Sequence, residues 1–161
     1  MAATAYEEFK QAQQNGLDAF IEKHVFFAFS NEQFRDGLEK LDLAHDDKVV
    51  SIGAGGFCRK SKAKDFIALL DKKRRGLSER MVDFDFAYDA FMREMYNHEY
   101  EINSQGNWDV LSKFGSIEYS YEAECNPVIY MDALGFSDDT KLAFRSARRD
   151  YYQSCEEHGW L

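Results

Sequence analysis

The stretch Val49–Ser61 constrains the fold more than any other part of this sequence. It reads Val-Val-Ser-Ile-Gly-Ala-Gly-Gly-Phe-Cys-Arg-Lys-Ser and holds three of the ten glycines in the chain. Residues that favour strands lie on both sides of these glycines, and glycine adopts positive φ angles at little steric cost. The stretch therefore predicts a tight or bulged β-hairpin, with strands over 48–52 and 57–59.

Helical periodicity dominates the rest of the sequence. Apolar residues recur at helical spacing in four segments, namely 4–23, 31–41, 62–75 and one that starts between 79 and 83 and runs to about 102. A last helix is predicted after Ser137, and the aromatic run Val25–Phe29 predicts a third strand. The predicted fold class is therefore α+β, a small antiparallel sheet of about three strands with a glycine-rich hairpin, covered by several α-helices.

Capping signals predict where some of these helices begin and end. Ser30 and Gln33 have the spacing of a capping box, and Ser61 is expected to cap the helix that follows it. Gly76 is expected to end that helix, because glycine commonly follows the last helical residue. Pro127 is expected to lie in irregular chain.

The sequence predicts a single globular domain spanning residues 1–161. It has one proline and no tract rich in glycine, serine and proline that would indicate a linker. The N-terminus lacks the features of a signal peptide, and no apolar run approaches the roughly 20 residues that a membrane span requires. Three widely spaced cysteines, without a C-x-x-C pair, are typical of reduced thiols in a cytoplasmic protein.

Two nucleotide-binding motifs are excluded by the spacing of the glycines. The fingerprint G-x-G-x-x-G would need glycine where Cys58 stands, and a Walker A loop would need glycine in place of Arg59. A structural hairpin is the simpler interpretation. The alternative is a contact with an anion or a nucleic acid, through Gly55, Gly56, Arg59, Lys60, Lys62, Lys72, Lys73, Arg74 and Arg75.

The charge of the chain is unevenly distributed along the sequence. The whole chain carries −9, residues 59–80 carry a net +6, and residues 83–139 carry a net −11. A strongly acidic segment repels nucleic-acid phosphates and suits a basic protein partner. We expect such a partner to contact the acidic side chains Asp83, Asp85, Asp89, Glu118, Glu122 and Glu124.

The pattern closest to an enzyme site is Glu94 with His98 and Glu99. Glu94 and His98 are four residues apart, so they share a helical face, and that spacing can hold a metal ion. However, the pair lacks the third ligand of a typical catalytic site and matches neither H-E-x-x-H nor H-x-x-E-H. Cys58 lies beside Arg59, which is expected to lower the pKa of the thiol, but no histidine partner is identifiable. We therefore expect no enzymatic activity and no cofactor.

Three segments together resemble a family of small proteins of unknown function from gut bacteria and their phages or mobile elements. They are Phe26–Phe34 with Gly37 and Leu38, Ser51–Phe57 with Arg59 and Lys60, and Tyr88–Phe91 leading to Asn97–Tyr100. The resemblance covers about residues 5–115 and implies no established activity, so no catalytic residue can be carried over. It does imply an accessory role of the phage type, and small acidic proteins of that setting are often anti-CRISPR inhibitors.

The sequence therefore predicts a non-enzymatic, acidic interaction protein that inhibits a host defence nuclease. The expected partner is a basic protein such as a CRISPR effector nuclease, in the cytoplasm of a bacterial host cell. One alternative is a nucleic-acid-binding accessory module that uses the basic segment 59–80. The other is a metal-dependent enzyme centred on Glu94, His98 and Glu99.

Overall fold

A computed structural model of the chain describes residues 2–44, 48–100 and 104–160. The helices are α1 (Ala5–His24), α2 (Asn31–Lys40), α3 (Ala63–Arg80), α4 (Phe84–Asn97), α5 (Ser104–Leu111), α6 (Tyr121–Cys125), α7 (Pro127–Ala133) and α8 (Asp138–Glu157). The strands are β1 (Val25–Phe27), β2 (Val49–Gly53) and β3 (Gly56–Arg59). This confirms the predicted α+β class. In the described ranges, no helix combines the length and the apolar character needed to cross a membrane.

The three strands form an antiparallel sheet in the order β1-β3-β2. Val25 pairs with Cys58, and Val49 pairs with Arg59. The β2–β3 connection is the predicted glycine hairpin, with φ of 90° at Gly53, 49° at Ala54 and 76° at Gly55, and the register shifts between Ser51 and Gly53. Two of these three left-handed positions are glycines, which adopt this conformation without steric cost.

The chain divides into two compact units. One comprises residues 9–73 and contains the sheet, and it is called the sheet unit below. The other comprises residues 1–8 together with 74–161, and it is called the helical unit. The single domain expected from the sequence stays a prediction.

The core of the sheet unit is an aromatic and aliphatic cluster between the sheet and α2. Phe26 lies at its centre, with ring centroids 5.5 Å from Phe57 and 5.4 Å from Phe34. The predicted capping box holds the start of α2 in place: Gln33 N donates to Ser30 Oγ at 3.2 Å, and Phe29 N donates to the Gln33 amide at 2.7 Å. The cap and the cluster together fix how α2 follows β1.

The core of the helical unit lies where α4 packs along α8. Phe91 is fully buried there, with ring centroids 4.9 Å from Phe114 and 5.2 Å from Phe144. Fully buried alanines on both helices, such as Ala87 and Ala147, let the two backbones approach closely. Ser137 caps α8 by accepting a hydrogen bond from Thr140 N, as predicted.

Two predictions about α3 were wrong. The helix continues through Gly76 to Arg80, so the glycine does not end it. A glycine inside a helix costs about 1 kcal/mol relative to alanine, which the remaining helical contacts outweigh here. Ser61 does not cap α3 either, because it lies in a 3-10 turn over Lys60–Lys62 that precedes the helix.

Two later boundaries also differ from the sequence prediction. Pro127 is the first residue of α7, where its missing N–H group removes no hydrogen bond, and Asn126 caps the helix through Val128 N. Helix α4 ends at Asn97, well before residue 102, because Glu99 has a φ of 46°.

Gly37 in α2 provides a sharp test of the packing in the sheet unit. A Cβ atom at this position would lie 2.0 Å from the Phe26 ring, whereas a Cβ at exposed Gly16 in α1 would meet nothing within 4 Å. We expect Gly37→Ala to destabilise the protein by about 1–3 kcal/mol through overpacking. Gly16→Ala should stabilise it by about 0.5–1 kcal/mol through helix propensity. Urea unfolding followed by far-UV circular dichroism measures both changes, and equal effects would contradict this packing.

Candidate interaction surfaces and a buried carboxylate

The uneven charge of the sequence coincides with the two units. The helical unit holds nineteen acidic and nine basic residues, whereas the sheet unit holds ten acidic and eleven basic ones. The helical unit therefore carries a net charge of −10 and the sheet unit +1. All six acids that the sequence predicts to contact a partner lie in the helical unit, and that contact stays a prediction.

Three of the six predicted partner-binding acids lie at or near the start of α4. Asp83 caps the helix, because its carboxylate accepts a hydrogen bond from Phe86 N at 2.8 Å. Asp89 accepts one from the backbone of Tyr6 at 3.2 Å. Asp85 is exposed and lies in the first turn of the helix. Asp83 and Asp89 therefore have structural roles, and contact of Asp83, Asp85 or Asp89 with a partner stays a prediction.

The other three predicted acids surround α6. Glu118 and Glu122 are exposed, and Glu124 accepts a hydrogen bond from the hydroxyl of Tyr119. Ser120 caps α6 by accepting a hydrogen bond from Ala123 N at 3.1 Å. Residues 117–120 form a loop that leads into α6.

Large apolar side chains are exposed among these acids. Tyr119 is 62% exposed and Tyr121 is 72% exposed, and Val128 and Ile129 in α7 are also exposed. Trp108 packs against this part of the chain, with its ring centroid 5.2 Å from that of Tyr119 and 4.8 Å from that of Tyr130. We call this set the α6–α7 surface, which consists of Glu118, Tyr119, Tyr121, Glu122, Val128 and Ile129.

The predicted anion contact separates into residues that share a cavity and residues that do not. Arg59 and Lys60 line an open cavity of about 310 Å³ together with Lys48, Ser61 and Leu43. Lys48 was missed by the sequence reasoning, because it lies outside the basic segment. The pairing of β2 with β3 places Lys48 beside Lys60 at the cavity, since Lys60 N donates to Lys48 O at 2.9 Å.

The other residues of the predicted anion contact are not among the described residues that line the cavity. Gly55 is in the hairpin turn, where the Phe29 ring would block a side chain, and Gly56 begins β3. Lys62 forms an ion pair with Asp65 at 3.3 Å. The four basic residues of 72–75 lie in the interior of α3 and are not among the described residues that line the cavity.

Glu94 is a buried carboxylate with two identified polar partners. It is 2% exposed, and the Tyr6 hydroxyl donates to its Oε1 at 2.8 Å. His98 Nε2 lies 3.3 Å from its Oε2, so the two side chains predicted to share a helical face are in contact. Burial, and then the hydrogen bond to Glu94, raise the pKa of Tyr6 far above its usual value, so this tyrosine is a neutral donor.

The metal-enzyme alternative gains little support from this arrangement. Both oxygens of Glu94 are engaged by Tyr6 and His98, and Glu99 is exposed. Across residues 2–44, 48–100 and 104–160, no group of three or more His, Cys, Asp and Glu side chains is placed to hold a metal ion. The non-enzymatic nature of the protein stays a prediction.

The expected effect of Arg59 on Cys58 was wrong. Cys58 is fully buried in β3, and burial raises the pKa of its thiol, with a smaller contribution from Asp65. Desolvation of the thiolate therefore outweighs the neighbouring cations. Cys58 is a structural core residue and not an activated nucleophile.

The chain belongs to a family of unknown function (DUF7659), whose model matches residues 5–119. No curated protein and no solved structure matches the chain. The family membership covers α1 to α5 and most of the segment that leads into α6. An origin in gut bacteria or their phages stays a prediction.

The hydrogen bond from Tyr6 to Glu94 predicts a specific loss of stability. Tyr6→Phe removes a donor from a buried carboxylate and should destabilise the helical unit by about 1.5–3 kcal/mol. Tyr119→Phe is the control, since it removes the hydroxyl of an exposed tyrosine that donates to the partly exposed Glu124, and it should cost much less stability than Tyr6→Phe. Trp108 and Trp160 both lie in the helical unit, so urea unfolding followed by tryptophan fluorescence reports on it.

A double variant tests whether the charge on Glu94 causes this loss. The variant that combines Tyr6→Phe with Glu94→Gln should be more stable than the sum of the two single effects predicts. Loss of the Tyr6 hydroxyl lowers the free energy of unfolding less when residue 94 is a neutral amide than when it is a charged carboxylate. Strictly additive effects would show that Tyr6 and Glu94 act independently.

The three cysteines should differ strongly in their reactivity. Cys125 is exposed, whereas Cys58 and Cys155 are buried. We expect iodoacetamide to modify Cys125 in the native protein and to modify the other two only after unfolding, since the reagent does not reach a buried thiol. Mass spectrometry of peptides, with a urea-denatured control, measures this order. Modification of native Cys58 at the rate of Cys125 would contradict the burial of β3.

Proposed function

We propose that this protein is a non-enzymatic interaction protein that binds a basic protein partner through its α6–α7 surface. Two exposed tyrosines, flanked by exposed glutamates on a unit of net charge −10, carry this proposal. Three features of this surface support the proposal: exposed aromatic area, negative charge and the contact of Tyr119 with Trp108.

The tyrosines supply the contact area of the proposed interface. Tyrosine is enriched among the residues that dominate binding energy, because it offers a large apolar ring and a polar tip at low entropic cost. Trp108 holds the Tyr119 ring at 5.2 Å, and the Tyr119 hydroxyl donates to Glu124. This ring is therefore held in one place before a partner arrives, which reduces the cost of ordering it on binding.

The acids supply long-range attraction and selectivity. A net charge of −10 on one unit attracts a basic protein and repels nucleic acid, and the attraction accelerates encounter at low salt. Glu118 and Glu122 are exposed beside the tyrosines, so they would meet lysine or arginine at the rim of the interface. Charged rim contacts of this kind affect the association rate more than the final affinity.

The proposed partner is a nucleic-acid-handling enzyme of host defence, such as a CRISPR effector nuclease in a bacterial cytoplasm. Such enzymes hold the phosphate backbone in a positively charged channel. An acidic protein can occupy that channel, or it can bind elsewhere on the nuclease and impair its engagement with target DNA. The anti-CRISPR-like part of the proposal depends on the family resemblance, whereas the acidic interaction surface depends on exposure and charge.

Two pairs of substitutions separate the roles of charge and apolar area. Glu118→Lys with Glu122→Lys should weaken binding about tenfold at low salt and reduce the salt dependence of the affinity. Tyr119→Ala with Tyr121→Ala should weaken binding by about thirtyfold or more at every salt concentration. Binding is measured by calorimetry with the nuclease that a pull-down identifies, and inhibition is measured by a target-cleavage assay.

Glu156→Lys with Glu157→Lys is the matched control. Both residues are exposed at the end of α8, and the two substitutions change the net charge as much as Glu118→Lys with Glu122→Lys does. They lie about 22 Å along the helix axis from Lys141, the residue that pairs with Asp132 of α7. The control pair should change affinity less than about threefold. If the control weakened binding as much as Glu118→Lys with Glu122→Lys, the partner would sense only net charge, and the α6–α7 surface would not be its site.

A further inference from the structure

The cavity beside the glycine hairpin lies wholly within the sheet unit and has no part in the proposed α6–α7 interface. Four stretches of chain meet there: Leu43 follows α2, Lys48 precedes β2, Arg59 ends β3, and Lys60 and Ser61 form the 3-10 turn. The antiparallel pairing of Val49 with Arg59, and the bond from Lys60 N to Lys48 O at 2.9 Å, fix these stretches against each other. The backbone of the cavity wall is therefore set by the sheet.

The side chains that line this cavity are mostly cationic. Lys48, Arg59 and Lys60 contribute positive charge and Ser61 contributes a hydroxyl, and none of the described lining residues is acidic. Three like charges around one open space of about 310 Å³ repel each other, and that repulsion is relieved when an anion enters. The nearby Lys62 is engaged elsewhere, by Asp65.

Arg59 is the anchored member of the group. Its Nη2 donates to Leu41 O at 2.9 Å, so the half-buried guanidinium is held by a backbone carbonyl that follows α2. A guanidinium has five N–H donors, and one bond to a carbonyl leaves others for a ligand. Lys48 and Lys60 are exposed and can approach a ligand as mobile point charges.

We propose that this cavity binds a phosphate group. A phosphate offers several acceptor oxygens and negative charge to one arginine fork, two ammonium groups and one hydroxyl, and the described lining residues include no carboxylate. A volume of about 310 Å³ accommodates the phosphate with a small organic group attached, such as a nucleoside. The phosphate can be that of a free mononucleotide or that of a nucleic-acid strand.

Calorimetric titration of the full chain at low ionic strength tests the proposal. The probes are inorganic phosphate, a nucleoside monophosphate and a single-stranded oligonucleotide without terminal phosphate. The test variant is Lys48→Gln with Lys60→Gln, and the control is Lys23→Gln with Lys40→Gln, which removes the same charge from exposed positions of α1 and α2 in the same unit.

The wild-type protein should bind at least one of the three probes at millimolar concentration or below. The test variant should lose at least about tenfold in affinity, and the control less than about twofold. Preference for the monophosphate assigns the phosphate to a free nucleotide, and preference for the oligonucleotide assigns it to a strand. Absence of binding by all three probes, or an equal loss in the control variant, would overturn the proposal.

Discussion

The hydrogen bond from Tyr6 to the buried carboxylate of Glu94 is the interaction on which the helical unit depends. A carboxylate in a protein core costs several kcal/mol unless hydrogen bonds compensate it, and the Tyr6 hydroxyl is one of its donors. Tyr6 stands far away in the sequence, at the start of α1. The bond of Tyr6 N to Asp89 and the ion pair of Glu7 with Arg93 at 2.8 Å reinforce the same attachment. The first turn of α1 is therefore built into the core of a unit whose other residues begin at 74.

Sequence reasoning succeeded where the determining contacts are local. The Ser30 and Gln33 cap, the Ser137 cap and the glycine hairpin each depend on residues within four positions of each other, so their spacing could be recognised directly. It failed at Gly76 and Pro127, where the same residue types are compatible with two outcomes. Glycine can end a helix or be carried through it, and proline can interrupt a helix or begin one, and the local signal does not distinguish the two.

In the candidate sites, too, the sequence predicts contacts between residues close in the chain and misses contacts between distant ones. The contact of Glu94 with His98 follows from the helical period, but Tyr6 could not be paired with them because nothing local links the N-terminus to α4. Lys48 enters the cationic cavity only through the register of β2 and β3. Counting charges located the acidic half of the chain correctly. It did not identify which acids have structural roles, such as Asp83, whose carboxylate caps α4.

The strand order β1-β3-β2 has a consequence for how the protein folds during synthesis. Among the described strands, the one made first lies at one edge and pairs only with the one made last, so β1 waits for this partner until the ribosome has released β3. The β2–β3 hairpin, in contrast, closes locally and quickly. During that interval the Phe-rich stretch of β1 is unpaired, and unpaired aromatic strands in nascent chains are the segments that chaperones protect. The position of β1 in the sheet therefore delays its pairing until the chain has been synthesised as far as β3.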